Sequence, residues 1–86
     1  MHLKKNTQSL NTIKTGEIIK IVSIPHGLIG AQFVRLGIHT GEKLQCLEKL
    51  PGGTIVLRKN RRQIAIGREF AKQIYVSLID GINQKS

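Results

Sequence analysis

Apolar residues recur along this chain in short runs separated by glycine-bearing turns, the pattern of a small β-rich domain rather than of a helical bundle. From Glu17 to Ile24, Ile18, Val22 and Ile24 share one face with Lys20, while Ile19 and Ile21 share the other with Glu17 and Ser23. Both faces are half apolar, which suits a barrel strand covered on both sides, and Pro25-His26-Gly27 ends it. Leu28 to Leu36 is the one helical segment of any length: Ile29, Phe33 and Leu36 fall at i, i+4 and i+7, and Gly37 stands where a left-handed C-terminal cap is needed. Extended runs then follow at Glu42–Leu50, Thr54–Lys59 and Arg62–Ile66, joined by Pro51-Gly52-Gly53 and by the tight link Asn60-Arg61. A single helical turn within Gly67–Gln73 and a closing strand over Ile74–Leu78 complete the series.

Ahead of these elements, Leu10 and Ile13 suit one helical turn leading into a bend at Thr15-Gly16. The expected organisation is a polar lead-in over residues 1–9, one domain over 10–79 and a fraying tail over 80–86. Five short strands and one short α-helix, with no repeating strand-helix-strand period, predict a mainly β fold: a small SH3-like antiparallel β-barrel. Its interior is expected to include Ile18, Val22, Phe33, Leu36, Leu44, Leu57, Ile66 and Ile74. At 86 residues the chain has room for one thin core and little more.

Charge changes the picture next. Fourteen Lys and Arg against five Asp and Glu give a formal charge of +9, and a positive field of that size concentrates acidic partners of any kind near the surface. The densest run, Arg58-Lys59-Asn60-Arg61-Arg62, falls at the tip of the second predicted hairpin. It reads either as solvated, edge-protecting charge or as a docking patch. Nucleic acid is the weaker partner class, because single-strand-binding barrels add stacking aromatics and this chain has only Phe33, Phe70 and Tyr75, two of them at core-like positions.

Candidate chemistry is sparse. Glu17, Glu42, Glu48, Glu69 and Asp80 sit at strand and turn edges rather than in a paired, desolvated arrangement, and Gly52-Gly53 lacks the lysine and hydroxyl residue of a phosphate-binding loop. No enzymatic activity and no cofactor are therefore expected. His2, His26 and His39 are widely separated, so the metal expectation is none, with His26 and His39, in the turns flanking the helix, as the only weak candidates. Cys46, the sole cysteine, lies among leucines and reads as a small apolar strand residue. The N-terminus has no apolar stretch for a signal peptide and nothing later approaches a membrane span, so a cytoplasmic location is expected.

Several of these segments together resemble the FeoA family. Leu10-Asn11-Thr12-Ile13-Lys14-Thr15-Gly16-Glu17 is similar to the family's opening pattern, and Leu36-Gly37-Ile38-His39-Thr40-Gly41 to its most characteristic segment, with Thr15 and Thr40 standing where proline is common. Pro51-Gly52-Gly53-Thr54-Ile55-Val56-Leu57 resembles the glycine turn into a strand, and Ile64-Ala65-Ile66 with Phe70-Ala71, Ile74 and Val76 the closing pattern. The resemblance implies an accessory protein of bacterial ferrous-iron transport that binds the FeoB permease through its cytosolic GTP-binding portion, at the inner face of the membrane. It leaves as the alternative a basic binding module for nucleic acid or a repressor-like assembly. On this reading Arg58, Lys59, Arg61 and Arg62, with Gln32 and Arg35 on the exposed helix face, are the candidate partner-binding residues, and self-association is a further expectation.

Overall fold

The computed structural model describes residues 7–79. Its strands are β1 (Thr7–Ser9), β2 (Ile18–Ser23), β3 (Lys43–Lys49), β4 (Ile55–Lys59), β5 (Arg62–Ile66) and β6 (Tyr75–Ile79), with helices α1 (Gly27–Arg35) and α2 (Arg68–Ala71). All six strands form one antiparallel sheet in the order β1-β6-β2-β3-β4-β5. The chain's last strand is thus inserted between its first two, and the fold is the expected SH3-like one. A sixth strand comes from residues 7–9, assigned to the lead-in by sequence: they pair with β6, and a 3-10 turn at Leu10–Thr12 follows. The rest of the expected lead-in and the expected tail lie outside the described residues.

Alternation fixes which side chains fill the barrel. Ile55, Leu57, Ile64 and Ile66 point inward from the β4–β5 hairpin, Leu44 and Cys46 from β3, and Val76 from β6, joined by Leu10, Ile13, Ala71 and Ile74 from the connections. In β2 the buried pair is Ile19 and Ile21, whereas Ile18 is only half-buried and Val22 is exposed. The expectation that Ile18 and Val22 lie inside is therefore corrected. The two faces are nearly equal in aliphatic content, and Lys20 decides between them: burying Ile18 and Val22 would carry an unpaired ammonium into the core.

Leu36 is the second correction. It is exposed, and Ile38 takes the core position two residues on. The helix ends at Arg35 and the chain turns out of it through Gly37, whose φ of 92° an L-residue resists. The Gly37 N–H donates to the Val34 carbonyl at 2.9 Å and the Ile38 N–H to the Phe33 carbonyl at 2.8 Å. This is the Schellman arrangement, in which the residue after the glycine packs back on the helix's last turn. Ile38 and Phe33 are both buried in consequence. Phe70, placed at a core-like position by sequence, is instead 41% exposed and meets Phe33 edge-on at a ring separation of 5.9 Å.

At the other end of α1, Gly30 is buried where a Cβ would collide with the Pro25 carbonyl, so the helix lies directly on the segment that leads into it. Apart from Gly30 and Phe33, every residue of α1 is exposed, Leu28 most of all among its large apolar side chains.

These placements give opposite expectations for neighbouring leucine and isoleucine. Ile38→Ala should lower unfolding free energy by about 2–5 kcal/mol. Leu36→Ala and Val22→Ala should each cost less than about 1 kcal/mol. Denaturant titration of the three variants checks this, and equal losses at Leu36 and Ile38 would contradict the observed helix exit.

Candidate functional site

The basic run at the β4–β5 hairpin does not act as one patch. Asn60 turns the chain with a φ of 58°, a left-handed conformation that asparagine tolerates, and this sets Lys59 opposite Arg62 across the two-residue link. Both side chains then reach back to the helix exit. The Lys59 ammonium donates to the Gly37 carbonyl at 3.3 Å and the Arg62 guanidinium to the Leu36 carbonyl at 3.2 Å. Carbonyls at a helix C-terminus carry partial negative charge and lack intrahelical partners, so two cations there hold the helix against the hairpin.

Lys59 has a second partner. Its ammonium lies 3.0 Å from the Glu42 carboxylate, whose other oxygen is 3.0 Å from Nε2 of His39. The hydrogen bond from Lys59 is the main cause that holds the Glu42 carboxyl below its ordinary 4.5, with the charges of Lys59 and His39 adding to it against a smaller effect of burial. Glu42 was legible only as a turn-edge acid. Its role depends on a residue distant in sequence, and only the sheet topology brings the two together.

Arg58 faces the other way. It is exposed on the outer face of β4, opposite Gln45 in β3, and its guanidinium donates to the Gln45 side-chain oxygen at 3.0 Å while the Gln45 amide nitrogen donates to the Gly16 carbonyl at 3.3 Å. Arg61 is exposed at the hairpin tip, and Gln32 and Arg35 are exposed on α1. The four candidate cations of the hairpin thus divide into two engaged in the fold and two presented outward.

A shallow groove of 390 Å³ lies at the start of α1, where His26 lines it with Pro25, Ala31 and Val34. His39 is at the far end of the helix against Glu42. Among the described residues no group of three or more His, Cys, Asp or Glu comes together. Cys46 is buried in β3, and that burial is the main cause raising its thiol above the ordinary value, a setting that suppresses thiolate.

The Glu42 contacts carry a pH dependence. A carboxyl whose folded value is lowered contributes stability that is present above its unfolded value and is lost as pH falls through the folded one. Thermal midpoints taken from neutral pH down through 4.5 should therefore drop more steeply for the wild type than for Glu42→Gln. The variant should start lower at neutral pH and approach the wild type in acid. Parallel curves would contradict the role given to the Lys59–Glu42 pair.

The fold and its sequence have known counterparts. The FeoA domain matches residues 8–78, from β1 through β6. A crystal structure of an iron uptake regulatory protein, FeoA, superposes with a TM-score of 0.76 at 27% identity, over 85% of this chain and 99% of that one. The solution structure of a FeoA-like protein from Clostridium acetobutylicum gives 0.77 at 21% identity, over 95% of both chains. A manganese-dependent transcriptional repressor shares the fold, with a TM-score of 0.76 at 18% identity, over 85% of this chain and 42% of the repressor. No curated protein matches the sequence. With the family's domain spanning the whole described barrel, this chain belongs to the FeoA family.

Proposed function

We propose that this protein is an accessory subunit of bacterial ferrous-iron transport that works by docking on the cytosolic, GTP-binding part of a FeoB-type permease, in the cytoplasm at the inner face of the membrane, and not by catalysis. The observation that carries this reading is the extent of the likeness: it runs over 99% of the iron uptake regulatory protein at 27% identity, against 42% of the manganese-dependent repressor at 18%. No helix among the described residues is long and apolar enough to cross a membrane, so association with a permease is assigned to the surface.

A small barrel influences a larger partner by contacting two of its conformations unequally. The outward cations Arg58 and Arg61 and the exposed helix residues Gln32 and Arg35 are the side chains offered for such contact. Lys59 and Arg62 are engaged with the helix exit and are not among them. Charge at the rim of an interface mainly accelerates encounter and orients it, so binding is expected to weaken as salt rises.

The purified protein should bind the isolated cytosolic domain of the permease, and Arg61→Glu should slow association several-fold while the thermal midpoint stays unchanged. Cells carrying Arg61→Glu as their only copy should take up ferrous iron more slowly. Absence of binding to the permease domain, together with recovery of the protein from lysate on nuclease-sensitive material, would overturn the transport reading in favour of a nucleic-acid-binding module.

A further inference from the structure

The sheet brings together three cations that are far apart in the sequence. Lys20 in β2 lies directly opposite Lys43 in β3, and Arg58 in β4 lies opposite Gln45, two residues along β3 from Lys43. All three are exposed on the outer face, since their neighbours Ile19, Leu44 and Leu57 fill the core. Beside Lys43 and Arg58 is a depression of 310 Å³ lined by Ile18, Lys43, Leu44, Gln45, Arg58 and Asn60, with Lys20 next to it across the strand pair. Like charges at directly opposed strand positions destabilise the sheet that holds them. Here the repulsion is uncompensated: the ion pairs among the described residues join His39 and Lys59 to Glu42 and Lys72 to Glu69, and none includes Lys20, Lys43 or Arg58.

The surroundings favour a bound anion over a merely solvated surface. Gln45 is fixed by Gly16 on one side and holds the Arg58 guanidinium on the other, so the arginine is oriented by a neutral amide that leaves its charge unsatisfied. A guanidinium presented in this way accepts a carboxylate through paired N–H groups. Lys20 and Lys43 lie well within one Debye length of each other, about 8 Å at physiological ionic strength, so an approaching anion meets their combined field. Ile18 adds an apolar floor, which suits a segment carrying aliphatic as well as acidic side chains. Tyr75 is the only aromatic residue on any strand, whereas single-stranded nucleic acid is held by stacking successive bases on several.

We infer that the outer face of β2, β3 and β4, where Lys43 and Arg58 line a depression beside Ile18 and Lys20 stands opposite Lys43, is a docking surface for an acidic segment of a protein partner. The inference rests on the proposed role as a binding subunit and gives that role a face and a chemistry. It separates this surface from the hairpin tip, and it explains why a sheet retains a lysine pair that works against its own stability.

The test uses the full chain, labelled with ¹⁵N, and a soluble peptide of repeated Glu-Asp-Leu units. Amide shifts on titration should centre on Lys20, Lys43, Gln45 and Arg58. Lys43→Glu with Arg58→Glu should weaken peptide binding about tenfold or more, as two pairings turn from attraction to repulsion. Lys14→Glu with Lys72→Glu changes net charge equally and should weaken it far less. Lys43→Glu alone should also raise the thermal midpoint, because it replaces the lysine pair by an opposite-charge pair. Equal losses in the two double variants, shifts centred elsewhere, or a lowered midpoint for Lys43→Glu would overturn the inference. Tighter binding of polyuridylate or of phosphatidylglycerol vesicles at the same amides would overturn the choice of an acidic protein. Peptide docking here by a protein that ignores the permease domain would leave the surface standing and remove the transport reading. Unchanged affinity of Lys43→Glu with Arg58→Glu for that domain would do the reverse.

Discussion

The Lys59 ammonium ties the exit of the helix to the sheet. It meets the Glu42 carboxylate at the start of β3 and the Gly37 carbonyl at the exit of α1, while its backbone belongs to β4. A helix of nine residues is too short to persist alone in water, where isolated helices need about 12–15 residues even to be marginal. Only Gly30 and Phe33 of α1 are buried, so burial by itself anchors it weakly. What fixes its position is the exit: the Schellman turn, Ile38 returning to the core, and Lys59 and Arg62 on the last carbonyls. A Cβ at position 37 would come within 3.1 Å of the Lys59 nitrogen, so glycine there serves both the turn and the close approach of the lysine.

That constraint sorts the charges of the protein. The helix exit and Glu42 take up two cations of the basic hairpin, and the sheet directs Arg58 to the opposite side, next to Lys20 and Lys43. A net charge of +9 therefore does not spread as one diffuse positive surface. Part of it closes the fold electrostatically, and part of it stands in register across three strands without an ion pair among the described residues.

Most of the fold was legible in the sequence because its turns carry strong local chemistry. Gly37, Pro51-Gly52-Gly53 and Asn60 each demand a particular backbone, and they divided the chain nearly where the elements begin and end. The face of β2 was not legible from periodicity, since aliphatic residues occupy both of its sides; Lys20 held the answer, but only as an argument about the cost of burial. Leu36 continues the helical periodicity of Ile29 and Phe33 but lies one residue past the helix, in the turn that Gly37 makes, and so leaves the core. Alternation around an inward Leu57 separates Arg58 from Lys59, but the partners each finds lay beyond the sequence. That Lys59 meets the helix exit and Glu42 depends on the sheet topology, and the opposition of Lys20 to Lys43 depends on which strands are neighbours.

On the proposal made above, holding the fold and meeting a partner fall to different cations. The most direct test is to neutralise Lys20, Lys43, Arg58, Lys59 and Arg62 singly to glutamine, and to measure for each both the thermal midpoint and the affinity for the permease's cytosolic domain. Lys59→Gln and Arg62→Gln should lower the midpoint with affinity little changed, while Lys20→Gln, Lys43→Gln and Arg58→Gln should keep or raise the midpoint and lose affinity. Five variants falling on a single line, with affinity following stability, would contradict the account.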